Sequence, residues 1–485
     1  MTNSERSEAM LVPPPSGRRP SGNLAEADVR MLATELTAYH ACFSDVFQRS
    51  EQRDWSALFL RAQLMPLDRK SIEPMVLALN GADPAAVRAV QQFLSEGSWD
   101  DRRVLARLEH LVAEDLAEAD ACVIVDGSGF PKQGKHSVGV ARQYCGHLGK
   151  IANCQHGVFA LYCGSKGYSF VDHRLYMPAQ WFDAEHAPLR ARCRVPEEVH
   201  FTTEPSLALE IVRGIAERAT LAFEWVLGDE TYGADPKFLD GVEALGKRYF
   251  VEVPVSTRVW VGRIEIEPAG TPTKGRPVRH ARAVPGTPSP REMRHIAREL
   301  PASAWRRYTI KAGAKGEIAA DFAFVYITRS VRQGRPAAAA WAVFRRDRAE
   351  GSSVKYFLTN APRACAKRQL ARLSGARWPI ETAFEEAKGE LGMDQYEVRT
   401  WRGWHHQMTQ TFLAYHFLVR MRQRGKKSGA DVAATAGVTH RGSLGGHHDH
   451  RASNRDRRLP PATQLGRLSI SPPTTRRLAE EATMT

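Results

Sequence analysis

The chain has 485 residues, 43% of them hydrophobic, which suffices for about three domains with real cores and excludes a chain that is disordered throughout. No run of about 18 apolar residues occurs and the first residues lack an apolar segment, so we expect neither a membrane span nor a signal peptide. Lys and Arg outnumber Asp and Glu by 68 to 54, a formal charge of +14 that favours a polyanionic partner such as nucleic acid, although other basic proteins share this balance.

The N-terminal quarter of the chain predicts a polar tail followed by helices. Residues 1–22 are polar and rich in proline, so we expect them to be disordered. From Leu24 onward apolar residues recur at helical spacing, and Asp83-Pro84 is typical of a helix N-cap with proline in the first turn. These patterns predict a helical domain over residues 23–115.

Residues 116–255 predict a mixed sheet covered by helices. Short β-type runs bounded by Gly or Pro come first, and helices then alternate with strands. The predicted strands are 121–126, 137–144, 152–163, 168–176, 223–228 and 248–254, and the predicted helices are 206–219 and 235–245.

The composition changes again after residue 255. A loop rich in Pro, Gly and Arg (267–288) precedes strand-like runs, so residues 256–364 predict a β-rich segment. Residues 365–420 are helical in pattern. Residues 421–485 carry 12 Lys or Arg against 5 Asp or Glu, a surplus of 7, and lose periodicity, which predicts a disordered basic tail that binds DNA phosphates nonspecifically.

The segment Arg377 to Leu391 combines an apolar helix face with charged side chains. Arg377, Glu381 and Lys388 are four and seven residues apart, so on a helix they form one row. A row of solvated salt bridges is one explanation of this spacing. The alternative is that Glu381 acts in a site.

Two further carboxylates favour a site. Asp126 and Asp229 end the apolar runs Cys122-Val-Ile-Val-Asp126 and Glu224-Trp-Val-Leu-Gly-Asp229. A carboxylate at the end of a buried strand is costly unless it is paired or binds a metal. Three carboxylates supply the hard oxygen ligands that Mg²⁺ prefers, and a pair of such ions stabilises attack on a phosphodiester.

In this order and context, Asp126, Asp229 and Glu381 resemble the Asp-Asp-Glu triad of bacterial insertion-sequence transposases with an RNase H-like core. Arg377, Glu381 and Lys388 match the Arg, three residues, Glu, six residues, Lys part of a subgroup signature. The words Asp126-Gly-Ser-Gly-Phe-Pro-Lys-Gln-Gly-Lys-His-Ser-Val-Gly-Val-Ala-Arg-Gln-Tyr144 and Glu385-Glu-Ala-Lys-Gly-Glu-Leu-Gly392 resemble insertion sequence 701-type transposases. The likeness covers roughly residues 24–420.

The resemblance implies an α/β fold: an RNase H-like mixed sheet with flanking helices, an N-terminal helical domain and a β-rich insertion (256–364) before the catalytic helix. It implies that Asp126, Asp229 and Glu381 are catalytic and hold Mg²⁺, with Mn²⁺ able to substitute. Residues 23–115 would bind the terminal DNA of the element, or form an ordinary amphipathic bundle. The insertion is alternatively an independent β domain without a catalytic part, and Glu385 is the alternative third ligand.

Several basic residues are predicted DNA contacts. Arg377 and Lys388 would bind phosphates flanking the scissile bond, or else pair with Glu381 or Glu385. A Gly-punctuated stretch that includes Tyr144 would guide a strand, or be a solvated hairpin surface. Its basic residues are Lys132, Lys135, Arg142 and Lys150. Ser374 stands where the subgroup signature has a Tyr, a departure that leaves the strength of end binding in doubt.

The sequence thus predicts a DNA transposase that binds double-stranded DNA at element ends and target, acts as a dimer on DNA, and joins freed 3′ ends to target. A related nuclease without strand transfer and an inactive or domesticated DNA-binding protein are the alternatives. Seven cysteines without a Cys-x-x-Cys pair predict a reduced, cytoplasmic protein. The resemblance implies that this protein is bacterial and associated with the nucleoid. No P-loop occurs, so no nucleotide cofactor is expected. Trp401 and Trp404 would be core or base-stacking residues, and His447-His-Asp-His450 is a weak metal motif.

Overall fold

The computed structural model describes residues 26–270, 279–313, 316–331, 334–347 and 353–428, which lie in one compact unit. The predicted tail 1–22 and the His447–His450 motif lie outside them. Five helices come first: α1 Glu26–Ala41, α2 Ser50–Leu64, α3 Ile72–Asn80, α4 Pro84–Ser95 and α5 Asp101–Leu116. The Asp83 carboxylate accepts hydrogen bonds from the backbone N–H groups of Ala85 and Ala86, which explains why α4 begins at Pro84.

The core follows in the predicted order. Its elements are β1 Cys122–Pro131, β2 Ala141–Cys145, β3 Lys150–Gly164, β4 Gly167–Tyr176, α6 Ala187–Arg192, α7 Glu204–Arg218, β5 Trp225–Gly228, α8 Glu230–Gly233, α9 Pro236–Ala244 and β6 Arg248–Glu252. Strand β3 lies antiparallel to β1, β2 and β4, whereas β5 is parallel to both β1 and β6. Antiparallel strands β1 to β4 followed by parallel strands that helices connect form an RNase H-like arrangement, which confirms the predicted fold class.

The β-rich segment extends this sheet. Its elements are β7 Arg258–Val261, β8 Ile266–Glu267, β9 Arg282–Ala283, β10 Arg291–Glu292, α10 Met293–Glu299, β11 Arg306–Gly313, β12 Gly316–Val331, β13 Arg335–Arg346 and β14 Val354–Thr359. Strand β14 pairs with β6, so the order β10-β7-β12-β13-β14 continues from the core strands β6-β5-β1-β3-β2 in one sheet. The segment therefore shares backbone hydrogen bonds with the core.

Three helices complete the described chain: α11 Lys367–Leu373, α12 Trp378–Leu391 and α13 Trp401–Ser428. Helix α13 continues eight residues beyond the boundary that we had set at residue 420. Met421 is buried there, and Arg420 and Arg422 pair with Asp115 and Glu386. The prediction that the chain is disordered from residue 421 is therefore wrong for residues 421–428, which are helical. No helix in the described part of the chain is long and apolar enough to cross a membrane.

Polar side chains in the middle of α13 are buried and held by hydrogen bonds. His405 Nδ1 lies 2.9 Å from the Trp401 carbonyl oxygen, and His173 of β4 lies with Nε2 3.1 Å from the Thr409 hydroxyl. Burial, together with the nearby Arg102 guanidinium, lowers the pKa of His405 to about 3. The same two causes lower the pKa of His173 well below 6.5. Both rings therefore stay neutral in the folded protein.

We predict that acid destabilises the protein through these two histidines. Below about pH 6.5 the unfolded chain binds protons that the folded chain excludes, so the free energy of unfolding should fall as the pH drops from about 6.5 towards 3. At pH 5 the loss should reach about 2 kcal/mol for each histidine. Thermal melts across this pH range test this. His405→Gln should reduce the slope, whereas His200→Gln, at an exposed position, should not; equal slopes in all three proteins would contradict the assignment.

Candidate active site

The register of the sheet brings Asp126 and Asp229 together. The parallel pairing of β1 with β5 ends at Ile124 and Leu227, so each aspartate stands two residues beyond the last pair. Asp229 follows the end of β5 and caps α8, accepting a 2.9 Å hydrogen bond from the Thr231 N–H. The expectation that Asp126 ends its strand was wrong, because antiparallel pairing with β3 carries β1 on to Pro131.

Asp126 is largely buried, with its side chain 14% exposed, and both of its carboxylate oxygens are bound. Its Oδ1 accepts a 2.8 Å hydrogen bond from the Gly127 N–H, and its Oδ2 lies 2.6 Å from Arg377 Nη1. Burial raises the pKa of Asp126 to about 7, against the opposing effect of Arg377 and with a further contribution from the negative charges of Asp229 and Glu381. The carboxyl group therefore needs additional positive charge to remain ionised at neutral pH.

Glu381 joins the centre through the same arginine. It lies in the first turn of α12, its side chain is 51% exposed, and its Oε1 lies 2.5 Å from Arg377 Nη2. One guanidinium thus bridges Asp126 and Glu381, so the pairing that we had weighed against a phosphate contact for Arg377 is present. Lys388 lies seven residues after Glu381 on α12, and its ammonium is 5.4 Å from the centre of the Phe130 ring. Burial lowers the pKa of Lys388.

The donor set suits a hard divalent cation, but Arg377 stands between its members. Among the described residues, no three Asp, Glu, His or Cys side chains are grouped closely enough to hold a metal ion. The three carboxylates nevertheless provide only oxygen ligands, and the raised pKa of Asp126 indicates a site that favours a nearby cation. These residues fit such an ion once the Arg377 guanidinium has moved.

A cavity of about 980 Å³ opens beside the centre. Asp126, Asp229, Glu385 and Lys388 all line it, whereas Glu381 lines a separate cavity of about 290 Å³ on the side of the β-rich segment. Arg377 and Glu381 therefore stand between two depressions in the surface. Glu381, not Glu385, is among the groups that act on the pKa of Asp126, which favours Glu381 as the third carboxylate.

One wall of the larger cavity carries residues that sequence reasoning missed. His156 of β3 lies with Nε2 3.1 Å from Glu204 Oε2, an ion-pair distance without the alignment of a hydrogen bond. Tyr232 is buried, and its hydroxyl has no hydrogen-bond partner among the described residues. The one sequence signal for this wall was the glycine that follows Asp126 in the segment Asp126-Gly-Ser-Gly129. A Cβ at Gly127 would lie 2.4 Å from His156 Nε2, so a larger residue there would collide with the histidine. Gly127 thus makes room for His156.

The predicted DNA contacts divide into two groups. Lys132 does not face open solvent, because its ammonium donates a 2.9 Å hydrogen bond to the Tyr396 carbonyl and lies 3.3 Å from the centre of that ring. Lys132 therefore has a structural role, which its position in a Gly-rich segment of the sequence did not indicate. Lys135, Arg142 and Lys150 are exposed, as a DNA contact requires.

Other flagged residues have structural roles. Trp404 is buried and donates to the Tyr396 hydroxyl at 3.2 Å, and the Trp401 ring packs on His405, which favours the core alternative for both. Ser374 ends α11, and its hydroxyl donates to the Ala371 carbonyl at 2.7 Å. Ser374 therefore has a structural role at the end of α11 and offers no aromatic ring for stacking, unlike the Tyr of the subgroup signature.

The sheet and its three carboxylates define an RNase H-like protein with an acidic centre of the nuclease type. The family described as DDE superfamily endonuclease matches residues 42–317, more than half of the chain. The chain therefore belongs to the DDE superfamily endonucleases, enzymes that generally use divalent metal ions.

A curated relative and two solved structures are also similar. A probable transposase for insertion sequence element IS701 from Microchaete diplosiphon is 24% identical over 190 residues, which cover 39% of this chain and 45% of that protein. The chain thus matches less than half of the length of this relative. The piggyBac transposase synaptic complex with hairpin DNA has a TM-score of 0.35 at 10% identity, covering 86% of this chain and 71% of that one. The NurA nuclease from Sulfolobus solfataricus has a TM-score of 0.24 at 9% identity, covering 61% and 86%.

We predict that Gly233→Ala disturbs the position of Asp229. Gly233 ends α8, and a Cβ there would lie 2.0 Å from the Glu252 carbonyl oxygen of β6, so the helix that Asp229 caps must shift. Overpacking of this kind costs about 1–3 kcal/mol. Chemical denaturation measures the loss. Gly134→Ala, where a Cβ meets nothing within 4 Å, is the control, and equal stability of the two variants would contradict the prediction.

Proposed function

We propose that this chain is a DNA transposase that cuts at the ends of an insertion sequence with the help of divalent cations and joins the freed 3′ ends to target DNA. The observation that carries the proposal is that Arg377 pairs with both Asp126 and Glu381, and that Asp126 and Asp229 line one large cavity. Membership of the DDE superfamily endonucleases supports cleavage, and the similarity to a probable insertion-sequence transposase supports strand transfer.

Asp126, Asp229 and Glu381 would hold Mg²⁺, or Mn²⁺ in its place, with Asp126 bridging. Such ions supply the positive charge that in-line attack on a phosphodiester requires. The protein contributes the orientation of the carboxylates: β1 and β5 fix the two aspartates by their register, and α12 carries Glu381 on a helix whose opposite face is buried.

Arg377 has two uses in this proposal. In the free protein it neutralises Asp126 and Glu381, which would otherwise repel each other. With both carboxylates neutralised by bound cations, the planar Arg377 guanidinium would be free to bind a phosphate of the DNA with two hydrogen bonds. Lys388, Lys135, Arg142 and Lys150 would bind phosphates further along the strand, and two chains would act as a dimer on paired ends.

A nuclease that cuts without joining is the second candidate, favoured by the family description alone. The two are separated on a labelled duplex carrying the DNA that flanks this gene, incubated with Mg²⁺ or Ca²⁺ and a target plasmid. A transposase gives both cut and joined products with Mg²⁺, whereas a nuclease gives cut products only. Binding without any cleavage would instead indicate an inactive DNA-binding protein.

We predict that Asp126→Ala, Asp229→Ala and Glu381→Ala each abolish strand cleavage and leave binding to end DNA largely intact. Each variant removes a carboxylate that would hold cations, while the exposed basic residues remain. Gel assays of cleavage and of mobility shift measure the two effects. Glu385→Ala, which removes a neighbouring carboxylate of the same helix, should cleave close to the wild-type rate. Full cleavage by any of the three variants would remove that residue from the site.

We also predict that Arg377→Gln tightens the binding of Mn²⁺ in the absence of DNA and weakens the binding of end DNA. The cation would no longer have to displace a guanidinium from Asp126 and Glu381, whereas a phosphate contact would be lost. Calorimetric titration measures the first effect and fluorescence anisotropy the second. Arg213→Gln makes the same change of charge at an exposed position on α7 and should alter neither. Unchanged or weaker Mn²⁺ binding by Arg377→Gln would refute the displacement.

A further inference from the structure

The hairpin formed by β2 and β3 presents an apolar pair to solvent. Tyr144 and Ile151 are direct partners in the antiparallel register, so their side chains share one face. They are 64% and 62% exposed, more than any other large apolar side chain in the described residues. Such a pair usually stabilises a sheet by facing a core, so its exposure here needs another explanation.

The other face of the hairpin is anchored. Cys145 is buried, and a Cβ at Gly129 would lie 2.9 Å from its sulfur, so β2 packs closely on β1 three residues beyond Asp126. The turn is a single 3₁₀ turn, Gly146–Leu148, closed by Gly149 at a φ of 62°. The apolar pair is therefore held on a short, supported hairpin at a fixed place relative to the acidic centre.

The surroundings of the pair indicate what it contacts. Arg142 lies on the same face, two residues before Tyr144, and Lys150 precedes Ile151; both are exposed. Tyr144 also lines the cavity of about 980 Å³ that contains Asp126 and Asp229. Cations beside an aromatic ring suit a nucleic-acid strand, whose phosphates pair with the cations and whose bases stack on the ring. A position at the cavity mouth suits the strand that is to be cut.

We propose that Tyr144 and Ile151 form a wedge that contacts the bases next to the scissile phosphodiester and separates them from the opposite strand. This inference rests on the proposed DNA-cleaving function. Apolar side chains inserted between base steps unstack the bases, and new contacts with the protein offset the cost of unstacking. The separated strand then enters the cavity towards Asp126, while Arg142 and Lys150 hold its phosphates.

The wedge can be measured without cleavage. A duplex of the flanking DNA carries 2-aminopurine beside the cut site, and the protein is added with Ca²⁺. Wild type should raise the fluorescence, because this base analogue brightens when it unstacks. Tyr144→Ala and Ile151→Ala should bind the duplex but give little rise, and Tyr144→Phe should restore it. Val261→Ala, which truncates an apolar side chain that is 56% exposed on β7, is the matched control and should behave as wild type.

A second arm uses Mg²⁺ and compares paired with pre-opened substrate. On the paired duplex, Tyr144→Ala should cleave about 5- to 100-fold more slowly, the range expected when one base–aromatic stack is lost. On a duplex with mismatches beside the cut site, its rate should return close to that of wild type. A residue that only stabilises the fold would slow both substrates equally.

The outcomes separate this inference from the proposed function. If wild type cleaves but gives no fluorescence rise, or if Tyr144→Ala is equally slow on both substrates, the wedge is refuted and the transposase proposal stands. If wild type neither binds nor cuts the flanking DNA under any condition, the proposed function fails and the wedge fails with it. A rise that is lost in Tyr144→Ala and restored in Tyr144→Phe, with rescue by mismatches, establishes it.

Discussion

The acidic centre depends on one guanidinium. Arg377 holds Asp126 on the central strand and Glu381 on α12, two carboxylates that come from distant parts of the chain. Without a cation between them, their mutual repulsion would push α12 away from the sheet. The helix resists this on its other face, where Ile380, Phe384 and Ala387 are buried and the Phe384 ring packs on Phe159. The position of α12 is therefore fixed by ion pairing on one of its faces and by apolar packing on the other.

The β-rich segment contributes to that position as well. Because β14 pairs with β6, strands β11 to β13 lie on an extension of the catalytic sheet and reach the turn that precedes α12. Ile310 of β11 fits against Gly375 so closely that a Cβ there would lie 2.4 Å from its methyl carbon. Arg345 of β13 donates to the Ser374 carbonyl at 3.4 Å. The segment thus supports the start of the helix that carries Glu381, which argues against the alternative of an independent β domain.

The sequence predicted what short-range patterns encode. Strands such as Trp225–Gly228 and the helix from Trp378 were found because apolar periodicity and Gly or Pro boundaries are local signals. The three carboxylates were identified from the sequence because each lies in a recognisable sequence motif. The pairing of Arg377 with Asp126, the His156–Glu204 contact and the packing of Lys132 against Tyr396 were missed, since each joins residues far apart in sequence. The prediction ended helix α13 too early because residues 422–428 are polar or glycine and show no apolar period.

Buried polar groups without hydrogen-bond partners occur both in the core and at the centre. In α13, Gln410 and Thr411 have side-chain or backbone partners, whereas His416 Nε2 has no hydrogen-bond partner in the described chain. On the cavity wall, the Tyr232 hydroxyl has no partner in the described chain, His156 is poorly aligned with Glu204, and Asp126 is a largely buried carboxyl with a pKa of about 7. Leaving such groups incompletely satisfied costs stability. At the wall, a charged ligand would satisfy them on binding, and this wall faces the proposed path of the strand.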